Sequence, residues 1–221
     1  MRRGSALAPA GDGSLGPNRL AALASLWAVF ACAAHRNETA PTSIRLPEVR
    51  AELLAMADED QRARFAAIAE ATRNSGSNDQ LRTMAQIDDK NTARLKSLVA
   101  EHGWLGKSLV GEDGAHAGWL LVQHAGDRAF QKECLEKMKS ALKDGEVSAT
   151  DFAYLFDRVA MFDGRKQLYG TQFRTPPGTF CEMEPVPIED EEHVDERRKA
   201  LGLPPMVENA KQLRETYKCK P

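Results

Sequence analysis

A mainly α fold, a compact multi-helix domain with a small β-hairpin near its C-terminal third, is predicted by three observations. Apolar residues recur at helical spacing in five successive stretches between Pro47 and Phe162. Those stretches are bounded by capping and stop signals: Pro47, Ser77, Asp127 and Ser148 at starts, Asp144-Gly145 and Asp163-Gly164 at ends. Strict alternation appears only later, around Thr175-Pro176-Pro177-Gly178. Internal repeats are not evident, which sets a helical solenoid behind a single packed domain.

The first 34 residues read as an export signal. Arg2, Arg3 and Arg19 supply a basic region, and Leu20–Ala34 a largely apolar run of 15 residues. A membrane span needs roughly 20 residues, so this run suits a signal peptide better. Val29-Phe30-Ala31-Cys32 resembles a bacterial lipobox, in which Cys32 would be lipidated. Phe30 is bulky for that motif, and cleavage after Ala33 or Ala34, or retention as an anchor, are the competing readings. Residues 35–46 form a polar linker, and residues 47–221 are read as one helical domain, with the hairpin at about 168–184.

Pro47 suits the first turn of a helix running to about Thr72. Val49, Leu53, Met56, Ala57 and Ile68 form its stripe, with Asp60 and Gln61 on or beside it where leucine would be expected. Ser77 and Gln80 match a capping box opening a second helix to about His102. One face of that helix reads Met84, Asp88, Asn91, Leu95, Leu98 and His102, so an acid and an amide again replace apolar residues. His102 before Gly103 suits a helix C-terminus.

The central stretch predicts a loop over 103–111 and a buried helix over about 114–125. His116, Leu120 and His124 share one of its faces, with Trp119 and Gln123 on an adjacent one. Two histidines eight apart lie about 12 Å from each other, too far to share one metal ion. Asp127 caps a helix carrying Phe130, Cys134, Leu135, Met138 and Leu142. Ser148 with Asp151 caps the next, on which Asp157 is partly inward with Arg158 as adjacent counter-charge. Leu168–Phe173 and Thr179–Met183 are the two alternating runs of the hairpin. Asp190 then opens a short helix closing at Gly202, and a last amphipathic helix follows Pro205.

Cys134 sits on an apolar stripe and reads as a small core residue. Cys181 and Cys219 are either a disulfide permitted by export or two free thiols. No cysteine–histidine spacing suggests zinc, and no metal or cofactor is expected. Lys and Arg (30) nearly balance Asp and Glu (32), with no basic stripe interleaved with aromatics, so nucleic acid is not an expected partner.

The chain resembles a bacterial family known as domain-of-unknown-function family 6624. The resemblance is carried by Gly103-Trp104 with Ser108–Gly111, Trp119–Ala125, Phe130-Gln131, Tyr154–Val159, Tyr169–Phe173 and the Pro187–Pro205 segment, covering roughly residues 100–205. Leu105 and the Gly126-Asp127 pair depart from the family pattern. The resemblance implies no known activity.

There is no nucleophile elbow, phosphate loop or HExxH zinc motif. The chain therefore reads as an exported cell-envelope protein with a non-catalytic binding or interaction domain. Its partner would be a small molecule or an envelope protein, and its membrane contact an N-terminal lipid anchor. The alternative is a small hydrolase or transferase using a His/Asp acid–base pair in a helical pocket. The candidate pocket residues are His124, Gln123, Asp88, Asn91, Asp60 and Asp157, polar on otherwise apolar faces, with Tyr169 and Gln172 on the hairpin placed to close over them. An internal hydrogen-bond network would explain the same residues without any ligand.

Overall fold

The computed structural model describes residues 44–72, 77–175 and 182–216. The export segment with Cys32, most of the linker, and both Cys181 and Cys219 lie outside the described residues. Among the described residues, seven α-helices and one short two-stranded antiparallel pair make up the domain.

Helix α1 runs Pro47–Thr72, α2 Asp79–His102, α3 Lys107–His124, α4 Arg128–Lys143 and α5 Ala149–Phe162. From Gly114 onward the third is apolar nearly all round, and such a helix has to be surrounded. Trp119, Leu121 and Val122 are almost wholly buried, with α1, α2, α4 and α5 packed about them. Leu53 from α1, Leu95 and Leu98 from α2, Met138 and Cys134 from α4, and Leu155 from α5 complete the core. Cys134 is a free, buried thiol pushed up to about 12 by burial, which fits a packing residue.

Helix α3 starts earlier than the sequence predicts because its first turn, from Lys107, is separated from the rest by a kink. Gly111 stands at φ 77, ψ 169, a conformation essentially confined to glycine. The two capping predictions at α4 and α5 correspond to real bonds. Asp127 accepts from Phe130 N at 3.0 Å, and Ser148 Oγ accepts from Asp151 N at 3.4 Å. The capping box at Ser77 does not form as predicted. Ser77 Oγ accepts from Asp79 N, while Glu70 of α1 takes the Gln80 N–H at 2.9 Å. A carboxylate from a neighbouring helix thus takes the N–H that the Ser77 hydroxyl would accept in a capping box.

Strands β1 (Phe173–Arg174) and β2 (Glu184–Pro185) pair in the register Phe173 with Pro185 and Arg174 with Glu184. The hairpin lies where predicted, but β1 begins only at Phe173. Residues 168–171 do not pair as a strand because Asp157 on α5 collects their N–H groups: Leu168 at 2.7 Å, Tyr169 at 3.1 Å and Thr171 at 3.0 Å. Gly170 lets the loop turn at φ 65, and a Cβ there would lie 2.5 Å from Met206 Sδ. A 3-10 turn (Glu191–His193), α6 (Val194–Ala200) and α7 (Met206–Thr216) complete the described residues. Arg198 of α6 is fully buried and donates to the Tyr169, Gly170 and Pro204 carbonyls, fastening these elements to the loop.

Candidate functional site

Three of the predicted polar residues meet around a fourth that the sequence reading did not single out. Arg64 is one turn after Asp60 on α1, and its side chain is buried where α1, α2 and the end of α3 meet. Its Nη2 donates to Asp60 Oδ1 at 3.2 Å and to Asp88 Oδ1 at 2.5 Å. Its Nε donates to Asp60 Oδ2 at 3.2 Å and to His124 Nδ1 at 2.8 Å, and Nη1 reaches Met84 Sδ at 3.5 Å. An arginine can bridge three helices this way because its fork presents five donors in a fixed plane.

His124 Nδ1 also lies 2.8 Å from Asp60 Oδ2. A single ring nitrogen cannot both accept from Arg64 and donate to Asp60. The ring therefore has two proton placements. With its lone pair on Nδ1 it takes the Arg64 hydrogen and carries its own proton on Nε2. With the proton on Nδ1 it donates to Asp60, and the Nε2 lone pair becomes the acceptor.

Charge in this cluster is unevenly settled. Burial pushes the Asp60 carboxyl up, but the positive charge of His124 and of Arg64, with their hydrogen bonds, outweighs it and holds Asp60 below the usual carboxylate range. Asp88 receives the opposite balance. Burial and the negative charge of Asp60 overcome Arg64 and push it up to about 7. Burial, then the charge of Arg64, depress His124 to about 4. At neutral pH the histidine is thus uncharged, Asp60 ionised, and Asp88 divided between its two forms.

A cavity of about 350 Å³ opens against this cluster. Asp88 and Met84 of α2, His124 at the end of α3, Arg128 at the start of α4, and Arg158 and Phe162 of α5 are among its walls. Arg158 is buried. Burial and the charge of Arg64 lower it to about 9, against the pull of Asp88. Asp88 thus acts on Arg158 electrostatically, while the adjacent Asp157 that the sequence suggested as its counter-charge accepts from the loop backbone at Leu168 and Thr171. A larger depression of about 530 Å³ beside Trp104 is open and shallow, and its carboxylate Glu146 is occupied in accepting from Ser108 N at 2.7 Å.

The remaining candidates fall elsewhere. Asp157, Tyr169 and Gln172 do not line the cavity. They belong to the loop cluster described above, in which Asp157 also accepts from Thr171 Oγ1 and Gln172 Nε2 donates to Thr171 Oγ1. Loop backbone donors, and not a pocket, account for the inward carboxylate. Asn91 and Gln123 are buried with side-chain amides that have no hydrogen-bond partner among the described residues, and neither lines the cavity. A second His–Asp contact escaped the sequence reading: His116 Nδ1 lies 3.1 Å from both Asp151 oxygens, its ring 5.0 Å from that of Trp119. The partners are 35 residues apart, and only the packing of α3 on α5 brings them together.

The pH dependence of stability follows from the Arg64 cluster. Asp88 has its folded pKa above the unfolded value, so its contribution is present at low pH and lost as pH rises towards 7. His124 has its folded pKa depressed towards 4, so its contribution is present above 6.5 and lost as pH falls. The two oppose each other over most of this interval. Asp88→Asn removes the first alone. Its stability relative to the wild type is expected to improve by up to about 1.4 kcal/mol per pH unit between roughly pH 4 and 7. Urea midpoints at several pH values check this, and parallel profiles would mean that Asp88 titrates as an ordinary carboxylate.

Among the described residues no group of three or more His, Cys, Asp or Glu side chains could hold a metal ion, and no helix is long and apolar enough to cross a membrane. No curated protein and no solved structure matches the chain. Residues 47–221, the whole of the predicted helical domain and well beyond the 100–205 segment that carried the resemblance, match the family of unknown function DUF6624, and the chain belongs to that family.

Proposed function

We propose that this is an exported cell-envelope protein whose helical domain binds a small molecule in the cavity beside Arg64, without chemistry of its own. The observation that supports it is a cavity of about 350 Å³ floored by a buried, hydrogen-bonded charge cluster. That volume sits at the small end of ligand pockets, which pair apolar walls with a few fixed polar groups. Leu81, Met84, Ala85 and Phe162 supply the apolar part, and Asp88, His124 and Arg158 the polar part. Export rests on the basic and apolar pattern of residues 1–34. The test is a fragment screen read by amide NMR. Binding should move the resonances of His124, Ala125 and Gly126. A screen in which shifts fall elsewhere, or nowhere, would sink the reading.

A second reading, an acid–base enzyme, is favoured by the 2.8 Å contact between His124 and Asp60, since a carboxylate that orients a histidine is a recurring general-base device. Against it, a histidine depressed to about 4 is a weak base at neutral pH, and Arg64 competes for the same ring nitrogen. Asp88, near 7, is the better proton carrier of the cluster. Turnover of ester or phosphoester substrates that Asp88→Asn abolishes without weakening binding would favour the enzyme.

A further inference from the structure

Resting on the binding reading above, we propose that the cavity takes an uncharged small molecule through an O–H or N–H group whose hydrogen His124 Nε2 accepts. His124 is only 8% exposed, and both of its hydrogen-bond contacts fall on Nδ1. Nε2 has no partner among the described residues, yet it is not one of the polar atoms sealed from solvent without a partner. The cavity that the ring lines is therefore what reaches it.

Where the ring carries its hydrogen follows from the triangle that Nδ1 forms with Arg64 Nε and Asp60 Oδ2. Nδ1 lies 2.8 Å from each of them, and they lie 3.2 Å apart. Arg64 keeps its hydrogens at any pH, and Asp60, held below the usual carboxylate range, brings none. A bare Nδ1 would set its lone pair against an ionised oxygen at 2.8 Å with no hydrogen between them. With the hydrogen on Nδ1, His124 and Arg64 both donate to Oδ2, which also receives Gln61 Nε2 at 2.9 Å. The oxygen is then ringed by donors, and a carboxylate has lone pairs for such a set. Asp60 thereby selects the tautomer that leaves the Nε2 lone pair to the cavity.

That lone pair sets the polarity of the ligand. It would repel a carboxylate or phosphate oxygen. A cation would meet Arg64, Arg128 and Arg158 on the cavity walls, with Asp88 already bonded to Arg64 and Asp89 exposed. An uncharged donor meets neither penalty. Leu81, Met84, Ala85 and Phe162 give its body apolar surface to lie against. An analogue without the donor would leave Nε2 without a partner in a largely buried place, which is what makes the donor decisive.

The full chain is titrated with phenol and with pyrrole, and with anisole and N-methylpyrrole, which keep the ring and lose the donor. Amide NMR follows Ala125 and Gly126, and nitrogen NMR follows the His124 ring. In the free protein the ring hydrogen should stand on Nδ1. Phenol or pyrrole should give saturable shifts at both amides, move the Nε2 resonance, and bind about tenfold more tightly than its methylated counterpart. Whichever of the two binds more tightly tells a hydroxyl from an N–H ligand. His124→Phe should abolish the preference, and where that variant fails to fold the wild-type nitrogen spectrum still decides. Arg45→Ala, at the other depression, should bind as the wild type does. A hydrogen found on Nε2 in the free protein, methylated rings that bind as tightly as their parents, or a preference that survives in His124→Phe would overturn the proposal and leave the binding reading standing. So would shifts at these amides from other fragments but from neither phenol nor pyrrole. Silence toward every fragment would remove both.

Discussion

Arg64→Met is expected to lower the unfolding free energy by about 3–5 kcal/mol, the usual cost of removing one member of a buried ion pair. Methionine fills similar volume, so the loss would be electrostatic. Asp60 and Asp88 would be left on adjacent helices, buried and without the guanidinium that both now bond. Urea unfolding at neutral pH reads the loss, and its pH dependence identifies the cause. Without Arg64 the folded pKa of Asp60 loses much of what holds it down, and that of Asp88, already above the unfolded value, rises further. The deficit should then be greatest near neutral pH and shrink as pH falls and the pair is protonated. A deficit that stays constant with pH would assign the effect to packing. A loss below about 1 kcal/mol would mean that the two carboxylates have other means of relief.

Much of the fold was legible because local chemistry decides it. Pro47, Asp127 and Ser148 mark helix starts whatever the tertiary context, and the bounds of α1 follow from sequence alone. The candidate site was legible by half. Asp60 and Asp88 stand out because an acid on an apolar stripe is anomalous, and His124 because the second half of α3 is almost entirely buried. Arg64 does not stand out. A long cationic side chain on a surface helix ordinarily extends to solvent, and only the Asp60 spacing of four hinted at an inward turn. Its bond to His124 spans 60 residues, a contact that no local pattern encodes. The 168–172 stretch misled for a related reason. Alternation along Leu168–Phe173 has the period of a strand, yet a single carboxylate 11 residues upstream takes the hydrogen bonds that a strand would need.

Asp157→Ala tests that last point and is expected to cost about 3 kcal/mol or more, since several buried donors lose their acceptor at once. Leu168 N, Tyr169 N, Thr171 N and Thr171 Oγ1 all donate to this carboxylate, and Thr171 is nearly fully buried. Asparagine keeps one acceptor oxygen, so Asp157→Asn should fall between the wild type and alanine. Hydrogen exchange separates a local from a general effect. In the alanine variant the amides of Leu168, Tyr169 and Thr171 should exchange faster, followed by those of the β1–β2 pair. The Arg64 cluster has its own hydrogen bonds, from α1 to α2 and α3, so the amides around His124 should keep their protection. Were the His124 region to loosen in step with the loop, the two clusters would be one cooperative unit. The cavity would then depend on the hairpin end of the molecule as well as on the helices that line it.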